Sequence, residues 1–228
     1  GSVGDSLAME REAAKDFLRR FQLGSPRPRV AIGSFHAPQP PRPNYPDARI
    51  WAPLTHNYGV ETPTPTGLFA AINQINWSEG LTDIGIALNV AMNELPASEQ
   101  TASYIILISD GLPNWPVNSD CVTCSCPTDQ QLGEDAANMA KARGIDIIAV
   151  HSPGQSDEGC VPGAIAYMRD RIATQAPGFF YQNVAPGNLP CTFATIATLV
   201  ACDDEVKCTI DDCNQGICTH TVDPSCQP

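Results

Sequence analysis

Short apolar runs alternate with amphipathic stretches along most of the chain. Residues 29–35, 103–109, 145–150 and 179–184 are too short for helices and predict strands, the last of them at a sheet edge. Between them, apolar residues recur three and four positions apart, which predicts helices over 7–23, 66–77, 82–95, 132–143, 161–174 and 189–202. Strands that alternate with helices over short connections favour an α/β fold with a Rossmann-like, doubly wound, mostly parallel sheet.

Two segments inside this region do not follow the pattern. Residues 37–65 are rich in proline and also contain Tyr45, Trp51 and Tyr58, which predicts an ordered surface insertion. Residues 112–128 form a second predicted loop, which carries three cysteines.

The composition changes after residue 202. Residues 203–228 lack apolar periodicity, and cysteines recur there among Asp, Asn, Gly and Thr. A segment this short cannot bury a core of its own, so we expect a small module held together by disulfides. The predicted domains are therefore residues 1–202, which contain the α/β layer, and residues 203–228.

The 228 residues carry a formal net charge of −12. This acidity argues against nucleic acid and anionic membranes as partners, and it suits a protein that binds divalent cations. No apolar run approaches the roughly 20 residues that a membrane-spanning helix needs.

Ten cysteines is a high and even number for a chain of this size. Because they lack the regular paired spacing of a zinc ribbon, they predict disulfides and hence a secreted, cell-surface or periplasmic protein. Five cysteines precede residue 202 and five lie at or beyond it, so complete pairing within the chain requires at least one bridge between the two groups. The predicted disulfide cysteines are Cys121, Cys124, Cys126, Cys160, Cys191, Cys202, Cys208, Cys213, Cys218 and Cys226.

A zinc site is the alternative interpretation of the cysteines in the second loop. Cys121, Cys124 and Cys126 would then need a fourth ligand, such as Cys160 or His151. The acidic, secreted character of the chain favours disulfides over this site.

Two oxygen-bearing side chains lie where predicted elements begin or end. Asp110 follows the strand 103–109, at the carboxyl edge where open α/β sheets place their ligands. Thr82 stands at the start of the helix that precedes this strand, and its neighbour Asp83 is a suitable helix cap. Together Thr82 and Asp110 are two hard donors for one cation.

The order of elements and three sequence fragments resemble a von Willebrand factor type A (vWA) domain over residues 1–202. Gly1-Ser2-Val3 is similar to the end of the family's Asp-x-Ser-x-Ser segment, Gly80-Leu81-Thr82-Asp83 to its threonine segment, and Ser109-Asp110-Gly111 to its aspartate segment. The resemblance implies a metal-ion-dependent adhesion site that holds Mg²⁺, Mn²⁺ or Ca²⁺. Ser2 and Thr82 would be direct ligands, and Asp110 would bind directly or through water.

The chain departs from the family at its start. The first strand of that fold, with the Asp and the first Ser of the metal segment, is missing here, so the cation site depends on those residues being supplied. In the family this strand lies in the middle of the sheet. We therefore expect an upstream piece of the polypeptide or a strand from a neighbouring subunit to fill its place, unless the sequence simply begins part-way through the domain.

The C-terminal 25 or so residues resemble short cysteine-rich repeats of secreted and surface proteins. Nothing in the chain indicates an enzyme, because the histidines are scattered and no nucleophile elbow, phosphate loop or dinucleotide fingerprint occurs. The expected function is an extracellular adhesion module that binds an acidic ligand through a divalent cation. The alternative is a structural subunit of a surface filament or pilus, whose sheet is completed by a strand from elsewhere.

Overall fold

A computed structural model describes the chain in ten segments. The described backbone covers residues 3–22, 28–35, 48–75, 82–96, 102–110, 112–113, 126–153, 161–202, 209–214 and 217–222. Side chains are described for the same segments between residues 7 and 200, with the exception of residue 22.

Six α-helices lie within these segments: α1 (Val3–Gln22), α2 (Gly67–Gln74), α3 (Ile84–Glu94), α4 (Pro127–Ala142), α5 (Val161–Tyr167) and α6 (Leu189–Cys202). A π-helical turn (Met168–Ile172) continues α5, and a 3-10 turn (Pro186–Asn188) leads into α6. The strands are β1 (Val30–Phe35), β2 (Ala48–Thr55), β3 (Ser103–Ser109), β4 (Ile145–His151), β5 (Phe180–Tyr181), β6 (Thr209–Asn214) and β7 (Ile217–Val222).

A three-stranded parallel sheet lies at the centre of the domain. Its order is β3-β4-β5, and the β3–β4 register runs from Ser103 opposite Ile145 to Ser109 opposite His151. Parallel strands need both faces covered, and α1, α2 and α6 pack on one face while α3, α4 and α5 pack on the other. The predicted doubly wound α/β arrangement is confirmed for this part of the chain.

The two helix layers enclose two apolar clusters, one on each face of the sheet. Alternate residues of β3 point to opposite clusters, since Ile105 and Leu107 lie in the cluster with α3 and α4. Tyr104, Ile106 and Ile108 pack against the cluster with α1, α2 and α6.

Residues 48–55 are a strand, although the sequence predicted an insertion over 37–65. This strand, β2, pairs antiparallel with β1, from Val30 opposite Thr55 to Phe35 opposite Ala48. Pro53 is tolerated because β2 has a partner on one side only among the described residues, and an edge strand can lack a backbone donor. The sequence did not predict this strand, and the insertion over 37–65 stays a prediction.

The β1–β2 pair occupies the same layer as the parallel sheet. Val30 and Ile32 pack against the cluster with α1, as the even-numbered residues of β3 do. Phe35 packs against the cluster with α3, as Ile105 does. Within the described part of the chain, however, β1–β2 and β3-β4-β5 are separate sheets.

The tail contains a hairpin that the sequence did not predict. Strands β6 and β7 pair antiparallel, and Cys213 lies opposite Cys218 in their register. The sequence did not reveal this hairpin because its strands lack alternating apolar residues. Backbone pairing between two strands does not require such an alternation.

Candidate cation site at the carboxyl edge of the sheet

Asp110 directly follows β3 and is exposed, whereas Ser109 before it is buried. The backbone nitrogen of Ser152 donates to the Ser109 carbonyl over 3.0 Å, which ties the ends of β3 and β4 together. The Asp110 carboxylate therefore stands on a rigid strand end with access to solvent, as a ligand-binding group requires.

Thr82 and Asp83 lie at the start of α3. The Asp83 side chain accepts from the Ile86 backbone nitrogen over 2.8 Å and is buried, which confirms its expected role as the helix cap. The half-buried Thr82 is also engaged in interactions in the structure.

The other end of α3 fixes where Thr82 lies relative to the sheet. Arg143, which stands just before β4, donates to the Leu95 carbonyl over 3.2 Å, so α3 ends at the amino edge of the strands. An eleven-residue helix rises about 16 Å, and α3 packs against α4, β1 and β2, with Gly85 close to the backbone of Leu132 in α4. Thr82, which precedes α3 at its other end, therefore lies toward the carboxyl ends of the strands.

Glu10 of α1 is a further acidic group, near enough to Asp110 for the two charges to interact, that sequence reasoning missed. Burial, together with the Asp110 carboxylate, raises the pKa of Glu10 to about 7. A glutamate one turn before the apolar residues Ala13, Ala14 and Phe17 was the available signal, because it falls on the face of the helix that packs on the core.

His151 is the last residue of β4 and lies near Asp110. Its side chain is fully buried, and neither ring nitrogen has a hydrogen-bond partner at normal distance among the described residues. Burial lowers the pKa of His151, while the nearby Asp110 carboxylate opposes that shift. Burial therefore disfavours the charged form of this imidazole.

The structure describes the side chains of two of the ten cysteines, Cys126 and Cys191. Cys126, buried at the start of α4, is disulfide-bonded, which makes it unavailable as a thiolate ligand for zinc. Cys191 on α6 is a free and exposed thiol, although the sequence predicted a bridge. The side chains of the other eight cysteines lie outside the described part of the chain, so their pairing stays a prediction.

The candidate oxygen donors among the described residues are the Thr82 hydroxyl and the carboxylates of Asp110 and Glu10. Among the described residues, no three His, Cys, Asp or Glu side chains are grouped closely enough to hold a metal ion. Ser2, the remaining predicted ligand, lies outside the described residues. The set of hard oxygen donors fits Mg²⁺ or Mn²⁺ in kind, and a complete shell needs hydroxyls and water beyond the acids.

Comparison with solved structures identifies the fold. The pilus adhesin SpaC from Lactobacillus rhamnosus GG matches with a TM-score of 0.66 and 15% identity over 86% of this chain and 28% of SpaC. The vWF domain of the type V pili tip protein Mfa5 from Porphyromonas gingivalis matches with a TM-score of 0.58 and 15% identity, over 87% of this chain and 88% of Mfa5. The fold is vWA-like.

A third match is the manganese-loaded TRAP protein of Plasmodium vivax, with a TM-score of 0.58 and 14% identity over 96% of this chain and 70% of TRAP. No family model and no curated protein matches the sequence. The chain spans little more than a quarter of SpaC, and at these identities the matches establish the fold alone. No helix among the described residues is long and apolar enough to span a membrane.

Proposed function

We propose that this protein is an extracellular adhesion module that binds an acidic group through a divalent cation at the carboxyl edge of its sheet. The observation that supports the proposal is that the Thr82 end of α3 and the Asp110 end of β3 both lie toward the carboxyl ends of the strands. The likeness in fold to a pilus adhesin, to a pilus tip protein and to a manganese-loaded protein supports it. We extend the proposal to location at a cell surface and to the absence of enzymatic activity.

Each donor has a distinct role in this proposal. Ser2 and Thr82 bind the cation through their hydroxyls, and Asp110 binds directly or through water, once the missing Asp and Ser are supplied. When bound, the cation supplies a positive charge that few carboxylates neutralise, so a carboxylate of the partner can complete its shell. Asp83 does not take part, because its side chain is committed to capping α3.

Titration with Mn²⁺ and Mg²⁺ tests the proposal directly. With a peptide that supplies the missing Asp-x-Ser strand, the 228-residue chain should bind Mn²⁺ in calorimetry and by electron paramagnetic resonance, and Thr82→Ala should weaken that binding at least about tenfold because a direct ligand is lost. Thr195→Ala is the matched control, since the exposed Thr195 hydroxyl donates to the Cys191 carbonyl within α6 and is not a predicted ligand. Equal affinities of the two variants would refute the assignment of Thr82.

The separation of the two sheets favours a second candidate function, the filament subunit. β1 and β3 pack between the same two apolar clusters, yet no strand joins them within the described residues. We propose that one strand, from an upstream segment or from a neighbouring subunit, lies between them and completes the sheet. If the strand comes from a neighbouring subunit, the protein should form polymers that persist in EDTA and in strong denaturant.

Hydrogen exchange on the monomeric 228-residue chain tests whether the space between β1 and β3 lacks a strand. Backbone amides of β3 that point away from β4 should exchange much faster than those that pair with β4, because no strand protects them. Uniformly slow exchange along β3 in a monomer would contradict the open gap.

A further inference from the structure

We propose that Cys213 and Cys218 are joined to each other by a disulfide that bridges the hairpin of β6 and β7. The proposal assigns one pairing that the sequence left open, and it does not depend on the cation site. It rests on the backbone register of the hairpin, on the reach of a disulfide and on the oxidised state of Cys126.

The register of the hairpin places the two cysteines directly opposite each other. Strands β6 and β7 pair antiparallel along all six residues of each strand, and Cys213 lies opposite Cys218. Residues directly opposite in an antiparallel pair have Cα atoms about 4.5 or 5.5 Å apart. Both separations fall within the roughly 4.4–6.8 Å that a disulfide spans, so the bridge needs no movement of the backbone.

The short connection between the strands keeps this register in place. Asn214 and Ile217 form the last pair of the hairpin, so only two residues join β6 to β7. Because loop length fixes the register of a hairpin, the cysteine pair next to this connection stays aligned.

Cys208 is excluded as the partner of either cysteine within one hairpin. It is bonded to Thr209, which lies four residues before Cys213 in β6 and hence about 13 Å from it, at about 3.3 Å per residue. A residue bonded to Thr209 has its Cα only about 3.8 Å away, which leaves it well beyond the reach of a disulfide to Cys213. Cys218 lies across the ladder from Cys213 and is therefore no closer to Thr209.

The composition of the hairpin gives the bridge a structural role. A two-stranded hairpin is marginally stable by itself in water, and these strands lack an apolar alternation that could pack them on a core. A cross-link removes open conformations from the unfolded state. Its formation takes two protons and two electrons from the thiols, and a small-molecule or protein disulfide accepts them by exchange and becomes two thiols. Cys126, which is disulfide-bonded, has undergone the same oxidation.

Peptide mapping of the unreduced 228-residue chain tests the assignment. The chain is alkylated in denaturant with EDTA and cleaved before aspartate, which releases residues 212–222 with Cys213 and Cys218 as their only cysteines. This peptide should carry no alkyl group, have a mass about 2 Da below its dithiol form, and take up two alkyl groups only after reduction. Cys191, a free and exposed thiol, should be alkylated without reduction and is the internal control.

Thiol counts of serine variants give a second measurement. If the two cysteines bridge each other, Cys213→Ser exposes one additional thiol, whereas the double variant Cys213→Ser/Cys218→Ser exposes none. If each cysteine is bridged elsewhere, the double variant exposes two, and the proposal is refuted. Cys191→Ser is the control and should remove one thiol from the count.

Zinc is the rival occupant of this hairpin. Asp211 lies opposite His220, two positions from the cysteine pair, so four residues of metal-binding types share one face. Zinc-bound thiolates would be alkylated without reduction once EDTA and denaturant remove the metal, and that result would overturn the disulfide. A 212–222 peptide cross-linked to another fragment, such as the one that contains Cys226, would overturn it as well.

Discussion

Glu10→Gln should stabilise the cation-free protein at neutral and alkaline pH. The pKa of Glu10 is raised from 4.5 to about 7, first by burial and then by the Asp110 carboxylate. A carboxyl whose folded pKa lies above its unfolded pKa binds more protons in the folded state. The free energy of unfolding of the parent protein therefore falls as pH rises through this interval, and the penalty is complete above pH 7.

The size of this penalty follows from the two pKa values. A difference of about 2.5 units corresponds to about 3 kcal/mol at most, at 1.36 kcal/mol per unit. Glutamine keeps the shape of the side chain without the charge, so the variant should gain about 2–3 kcal/mol at pH 8. At pH 4 the gain should vanish, because the glutamate is then neutral in both states. For a domain of this size the gain raises the melting temperature by roughly 5–10 °C.

Urea unfolding in EDTA at pH 4, 6 and 8 measures this effect. Glu12→Gln is the control of opposite sign, since hydrogen bonding to Lys15 lowers the pKa of Glu12 and its charge is favourable in the folded protein. A Glu10→Gln variant that is less stable than the parent at pH 8 would refute the reasoning. So would a pH dependence identical to that of Glu12→Gln.

Three further predictions concern the layers that position the site. Gly133→Ala should lower the free energy of unfolding by about 1–3 kcal/mol, because a Cβ at this position overlaps the Tyr167 hydroxyl. That hydroxyl donates to the Gln130 carbonyl over 2.8 Å. Adding Tyr167→Phe removes the overlap and should restore stability in urea melts. Asp83→Ala should lower the free energy of unfolding by about 1 kcal/mol through loss of the α3 cap, with the exposed Asn89→Ala as the control in the same melts. Ile148→Ala should cost about 2–5 kcal/mol in the same assay, because the side chain is fully buried; a cost below 1 kcal/mol would contradict the described core.

Local patterns predicted two kinds of element: strands that are buried on both faces, and helix ends that depend on nearby residues. β3 and β4 were predicted because strands buried between two helix layers are continuously apolar. The end of α4 was predicted because Gly144 adopts a positive φ of 73°, which glycine reaches without strain. The predicted start of α4 at residue 132 was five residues late, because its first turn, Pro127 onward, carries few apolar residues.

Strand β2 and the pair of acidic residues were beyond prediction from local patterns. β2 was missed because proline and its position at an edge conceal a strand whose only described partner is β1. The sequence also cannot show that Glu10 faces Asp110, because the two are 100 positions apart and meet only through the packing of α1 against the sheet.

The order of elements and the helix cap at Asp83 were determined by the sequence itself, since each depends on spacing within a few residues. Tertiary structure alone decided that β2 pairs with β1, and that the partly buried Glu10 of α1 comes near Asp110. Both depend on long-range packing, which brings together side chains that are distant in sequence.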